Sequence, residues 1–229
     1  MPLLGHAAML LTFDVVAEAI GEHDDWHTHE HLPERLSIPG FLRGTRWVAT
    51  AGSPRYLVLY EVDRLETLNS AAYLERLNNP TPWTRKMMPH YRRMTRGLCS
   101  VVKSAGIGMG GFGLLLRFKP KPRPESHASL DSWLGGVMPR LAGQRGLGSL
   151  HLLRGALAAD MTSEQRIRGA DSGLDWALLA TGYSEEAVAA LAQSELSAAK
   201  LEQQGATDVA SATYRAAYAL TAQEDRHRE

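Results

Sequence analysis

Three histidines, a glutamate and a tryptophan fall within the short run Trp26-His27-Thr28-His29-Glu30-His31. No other stretch of the chain concentrates titratable and aromatic groups this way. A neutral imidazole offers both a hydrogen-bond donor and an acceptor, which suits proton transfer in a half-buried pocket. A neighbouring carboxylate, here Glu30, can orient an imidazole or act as a base itself. On a helix at about 100° per residue, His23, His27 and His31 form one stripe. Ile20 lies on that stripe, with Trp26 and Glu30 on its flank, while His29 and Asp25 point away. The stripe shares its side with the helix's main apolar residues, so it should face a sheet. Apolar groups are too few there for a dry interface, so the helix either sits loosely or roofs a polar pocket. His27, Glu30 and His31 are therefore the expected catalytic groups, with satisfied core or surface histidines as the plainer alternative.

Two short motifs compete with that reading. His27-Thr28-His29-Glu30-His31 matches the inverted zinc-protease pattern H-x-x-E-H, whose histidines at i and i+4 can reach one metal. Those proteases need a further carboxylate on a larger helical framework, so no metal ligand is assigned, and a divalent metal remains an alternative. Gly106-Ile107-Gly108-Met109-Gly110-Gly111 contains a formal G-x-G-x-x-G. That fingerprint needs a strand before it and a helix after it. Here a strand follows, so the run reads as a flexible connection. Trp26, Trp47, Tyr60 and Trp83 are expected to line a substrate pocket, against a plainer role in core packing. Arg46, with Arg43 on the same strand, could hold a substrate carboxylate or simply face water.

The elements that must position these groups follow from apolar patterning. Strands are expected at 7–13, 41–50, 55–62 and 97–103. Helices are expected at about 17–31, 65–77 and 83–91. Proline lacks an N–H and its ring clashes with the carbonyl four residues back. The first helix should therefore stop or kink near His31, with Pro33-Glu34-Arg35-Leu36 as a separate turn. The order is β-α-β-β-α-β, the ferredoxin-like unit. It then restarts, with strands at 111–118, 149–157, 175–181 and 213–221 and helices at 129–141 and 184–203. A shift of 105 lays Phe13 on Phe118 and Leu11 on Leu116. The expected division is 1–106, carrying the site, and 107–229, a degenerate copy. Each repeat leaves one sheet face bare, and bare apolar faces must be covered. The expected class is α+β: two ferredoxin-like repeats packed as an intrachain dimeric α/β barrel.

Composition limits the partners. Lys+Arg and Asp+Glu both number 25 of 229 residues, so the chain carries no net charge to attract nucleic acid. The one cysteine, Cys99, allows no internal disulfide or cysteine cluster. No apolar run reaches membrane-spanning length, and Met1 to Phe13 lacks the basic start of a secretory signal. A cytoplasmic protein without nucleic-acid or membrane partners is expected, as a possible homodimer.

Trp26, Glu30, His31, Leu32, Pro33, Leu36, Pro39, Gly40 and Phe41, with the strand Tyr56-Leu57-Val58-Leu59-Tyr60-Glu61 and Thr81-Pro82-Trp83-Thr84, carry a family pattern. Their arrangement resembles the EthD-like branch of the dimeric α/β-barrel superfamily. The resemblance is good from about Ala7 to Val102 and weak beyond. It implies a small-molecule pocket between sheet and helices. The superfamily includes cofactor-free oxygenases, isomerases, polyketide-modifying enzymes and haem enzymes. The expected function is acid-base chemistry on an aromatic or polyketide-like molecule without a bound cofactor. A non-catalytic ligand-binding or stress-associated protein, and a haem-binding barrel enzyme, are the alternatives. The second repeat places Trp133, Gly136 and Val137 where the first has His27, Glu30 and His31, so the site should occur once per chain.

Overall fold

The strand Tyr56–Val62 is buried at every residue, so both of its faces are covered. An antiparallel strand alternates its side chains between two faces, and burial of both requires a layer on each. The computed structural model, which describes residues 3–156 and 161–226, supplies those layers. Its strands are β1 (Ala7–Val15), β2 (Phe41–Ala51), β3 (Tyr56–Val62), β4 (Tyr91–Gly106), β5 (Phe112–Pro120), β6 (Leu147–Ala156), β7 (Ser172–Gly173), β8 (Trp176–Gly182) and β9 (Ala206–Thr221). Leu157, the expected end of one strand, lies outside the described residues. The long strands run in the antiparallel order β1-β3-β2-β9-β5-β8-β6-β4, and β4 pairs with β1 to close a barrel. Among the described strands only β7 lies outside it, as a two-residue parallel graft on β4.

Each half contributes four neighbours in the ferredoxin-like order, β4-β1-β3-β2 and β9-β5-β8-β6. The two halves meet at the seams β2–β9 and β4–β6. Both β4 and β9 run 16 residues, far longer than the expected 97–103 and 213–221, because each pairs with its own half and with the other. Three apolar cores result. One fills the barrel with residues of both halves, including Leu10, Trp47, Leu59, Leu115, Leu153, Leu179 and Tyr214. The other two lie between each half-sheet and its own helices.

Two glycines of the run between β4 and β5 are tightly packed, while Gly108 and Gly111 face open space. Gly106 has φ +83°, and a Cβ there would sit 2.0 Å from the Gly148 carbonyl oxygen. A Cβ on Gly110 would sit 2.1 Å from that of Gly182. Gly106→Ala should therefore cost ~2 kcal/mol or more, from left-handed backbone strain plus the backbone clash. Urea denaturation checks this, and an unchanged midpoint would contradict it.

The first helix is interrupted near His31, by a π turn. It does not stop at His31. A 3-10 turn (Ala17–Ala19) leads into α1 (Ile20–Trp26), then a π turn (His27–His31), then α2 (Leu32–Leu36). Leu32, the residue before proline, stays helical, and its N–H donates to the carbonyl of His27, five residues back. The π turn widens the ladder just ahead of Pro33, where the ring would otherwise meet the preceding turn. Elsewhere the expected helix over 65–77 divides at Ser70, which is extended and caps α3 (Ala71–Asn78). The next helix is α4 (Pro82–Met87), and α5 (Pro124–Ala142) starts earlier than expected. A short helix not expected at all, α6 (Ser163–Arg168), fills the connection between β6 and β8. The long alanine-rich helix is two pieces, α7 (Glu185–Leu191) and α8 (Ala198–Gln203), separated where Ser197 turns extended. No helix of the described residues is long and apolar enough to cross a membrane.

Candidate functional site

The stripe read from the sequence survives the π turn, and it extends one step further. His23, His27 and His31 form a row of mutually tilted rings with centroids 5.5 and 5.6 Å apart, and Arg35 follows at the same four-residue step. A π turn holds more residues per turn than an α turn, so this spacing stays aligned through it. All four side chains are buried on the sheet side. Burying them requires partners.

His23 finds two. Its Nδ1–H donates to the Asp24 carboxylate at 3.2 Å, leaving Nε2 to accept from the Tyr91 hydroxyl at 3.2 Å. His27 finds one: its Nε2 lies 3.4 Å from the Tyr60 hydroxyl, while Nδ1 has no partner. His31 lies over the Trp26 indole with centroids 4.3 Å apart. Its Nδ1 is 3.8 Å from Glu34 Oε2 and makes no hydrogen bond. Burial pushes the pKa of His23 down and those of His27 and His31 well down. For His31 the Arg35 guanidinium adds to that effect. All three imidazoles are therefore neutral at pH 7.

His27, His31 and Arg35 border a cavity of about 30 Å³. Met9, Leu11, Phe13, Leu77, Met88, Met94, Tyr73 and Tyr91 supply its apolar and phenolic walls. Its polar end is built by Arg35, Arg96, Glu164 and Arg168. Glu164 and Arg168 belong to α6 of the second half, which reaches across to the first. Arg35 Nη2 donates to Glu164 Oε1 at 2.5 Å, and both side chains are almost fully buried. Arg168 is held by Asp171, at 2.9 and 2.5 Å.

The expected pocket residues divide. His27 and His31 reach the cavity. Tyr60 touches it only through His27. Glu30 does not line it: Oε1 accepts from Trp26 Nε1 at 3.1 Å and from the Thr81 hydroxyl at 2.6 Å, tying the helix to the start of α4. Trp26 is a fully buried wall behind His31. Trp83 packs at the edge of the core and donates to Glu22 at 3.2 Å. Arg46 bonds the Asp24 carbonyl at 3.1 Å and covers the Tyr218 ring. Trp47 is in the barrel interior, on the opposite face of the sheet. Adjacent strand residues must point to opposite faces, so Arg46 and Trp47 cannot share a pocket.

Sequence reasoning missed Arg35, Tyr73, Tyr91, Arg96, Glu164 and Arg168. The four-residue series His23, His27, His31 pointed to Arg35. The long connection between β6 and β8 was the only hint of α6, since lengthy loops in compact domains tend to be functional.

Two cofactor alternatives meet the geometry differently. Among the described residues no three His, Cys, Asp or Glu side chains converge as ligands for a metal ion. The cavity of about 30 Å³ has room for one or two waters, so a haem, like any ring system, enters only if the walls move.

No family model matches the chain, and no curated protein matches it in sequence. Solved structures do. An anthrone oxidase-like protein superposes with a TM-score of 0.70 at 15% identity, covering 98% of this chain and 97% of its own. A putative monooxygenase from Fusobacterium nucleatum gives 0.62 at 8% identity, with 96% of each chain covered. A heme-binding protein from Thermus thermophilus gives 0.52 at 10% identity, covering 98% and 95%. At such identities the likeness establishes the fold: the chain is a ferredoxin-like dimeric α/β barrel made within one polypeptide.

Proposed function

We propose that this barrel is a small-molecule enzyme, of the EthD-like kind, that moves protons with His27 and His31 on an aromatic or polyketide-like substrate, without a bound cofactor. The carrying observation is the pair of buried, neutral imidazoles whose Nδ1 atoms lack hydrogen-bond partners at the wall of a cavity. Unsatisfied buried polar atoms cost ~1–3 kcal/mol each, so the two Nδ1 atoms call for a partner in the cavity, a water or a substrate. With Nε2–H donating to the Tyr60 hydroxyl, Nδ1 of His27 is a free lone pair, a base ready at neutral pH. The guanidinium groups around the cavity favour the negative charge that deprotonation leaves behind. Met9, Met88 and Met94 are the adaptable walls that must yield for a ring system to enter.

The anthrone oxidase-like and monooxygenase-like neighbours suggest the outcome. An activated ring CH2 gives up a proton to imidazole, and the carbanion is oxidised by dioxygen, CH2 + O2 → C=O + H2O. An anthrone is the probe. Under anaerobic conditions the protein should speed deuterium exchange at the anthrone CH2, seen by NMR. Under air it should speed oxygen uptake. His27→Ala and His31→Ala should each lower both rates about 100-fold, a usual size for loss of a general base, while keeping a cooperative thermal transition. Unaltered rates in both variants, or unfolding of both, would remove the assignment. Binding of the anthrone with no exchange in the parent protein would favour the ligand carrier.

A further inference from the structure

Arg35 is an unusual group to place at the end of a histidine stripe. It is 1% exposed, it stays charged, and its Nη1 has no hydrogen-bond partner. Its main counter-ion is Glu164, which sits on a six-residue helix of the other half of the chain. That helix contributes little apolar anchoring. Ile167 is 36% exposed, and the preceding Met161 is 45% exposed. Its attachments to the first half are polar: Arg35 to Glu164, Ser163 N–H to Asn78 Oδ1 at 3.1 Å, and Arg168 against the Met88 sulfur at 3.8 Å.

Charge accounting sharpens the point. With α6 in place, Arg35, Arg96 and Arg168 are balanced by Glu34, Glu164 and Asp171. Glu164, Arg168 and Asp171 all belong to the segment that crosses from the second half. If that segment shifts to admit a substrate, Arg35 and Arg96 remain on the first half with Glu34 alone, 3.5 Å from Arg35 Nη1 and not hydrogen-bonded to it. Two guanidinium groups then face the cavity with one carboxylate beside them. A planar carboxylate fits that fork better than any neutral group.

We propose that Arg35, assisted by Arg96, is the seat for a carboxylate of the substrate, and that Glu164 occupies the seat when the pocket is empty. This rests on the reading of the His27–His31 cavity as the substrate site, and it adds the substrate class: an aromatic carboxylate. The reacting ring carbon would lie towards the histidines and the carboxylate towards Arg35.

The test uses the whole chain, 2-naphthoate and its neutral counterpart 2-naphthamide, with binding measured by calorimetry. The parent protein should bind the acid at least tenfold more tightly than the amide. Glu164→Gln removes the internal competitor without removing bulk, and should strengthen acid binding severalfold. Arg35→Met alone leaves Glu164 without its main partner and endangers the fold. The double variant Arg35→Met with Glu164→Gln avoids this and should bind acid and amide alike. Equal affinity for the two probes in the parent, or no gain in acid affinity in Glu164→Gln, would overturn the seat. If the amide still binds and loses affinity in His27→Ala, the histidine cavity stands without the seat. If neither probe binds the parent or Glu164→Gln, both assignments fall.

Discussion

Between pH 7 and pH 5 the protein should lose several kcal/mol of stability, more than ordinary surface titration explains. Four buried histidines set this. Burial lowers the pKa of His23, His27 and His31, and lowers that of His151 to about 4. His151 lies inside the barrel, its ring nitrogens 3.0 Å from the Ser104 hydroxyl and 3.1 Å from that of Ser149. In the unfolded chain each imidazole takes up a proton near pH 6.5, while the folded protein refuses it until its own lower pKa. In that window the unfolded state binds more protons, so stability falls with falling pH. The slope is about 1.4 kcal/mol per pH unit for each histidine that stays neutral. For His151 alone the window from 6.5 to about 4 amounts to about 3 kcal/mol. Glu34 and Glu61, whose pKa burial raises, act with the opposite sign. Two such carboxylates do not offset four imidazoles. Urea denaturation at pH 7, 6 and 5 reads the slope directly. A flat profile, or greater stability at pH 5, would mean that the histidines are hydrated or charged.

Arg35→Met should be among the most damaging single substitutions in the chain, and Glu164→Gln should largely rescue it. Removing one member of a buried pair strands the other charge, at a cost of up to ~3–5 kcal/mol, whereas replacing both with neutral groups of similar size is close to harmless. Arg35→Met leaves Glu164, 3% exposed, with only Arg168 at 3.9 Å. The loss has a ceiling. Once it exceeds the free energy needed to lift α6, the helix leaves and Glu164 returns to water. The size of the Arg35→Met effect therefore also measures how tightly α6 is held. Glu164→Gln alone should cost less, because Glu34 remains 3.5 Å from Arg35. A double-mutant cycle by chemical denaturation gives the coupling. Equal damage from the single and the double variant would show that packing of the Arg35 stem, and not its charge, is what matters.

How legible these features were follows from how local their causes are. The repeat, the barrel and the histidine stripe rest on patterning within single elements, and the sequence carries that patterning openly. Leu10, Tyr60 and Leu179 are buried because their strands are buried, and Phe13 and Phe118 hold matching places in the two halves. The π turn at His27–His31 was legible only as a stop or kink near His31, because several backbone responses relieve the same proline clash. Trp47 was misjudged by residue type, although strand alternation against Arg46 already placed it on the other face. Glu164 and Arg168 were beyond reach. Their relation to Arg35 spans 129 positions in sequence and exists only after two half-sheets have met.

The reach of α6 from one half into the cavity of the other has a consequence for how the protein responds to dilution. In a barrel assembled from two separate chains, such a contact forms by association and weakens as subunits dissociate. Here both partners are tethered in one chain, so the contact has a fixed effective concentration. No symmetry obliges the two halves of one chain to carry the same residues, and the second has Trp133, Gly136 and Val137 where the first has His27, Glu30 and His31. One half could become the floor of a site and the other its cover. Ligand affinity should then be the same at nanomolar and at micromolar protein.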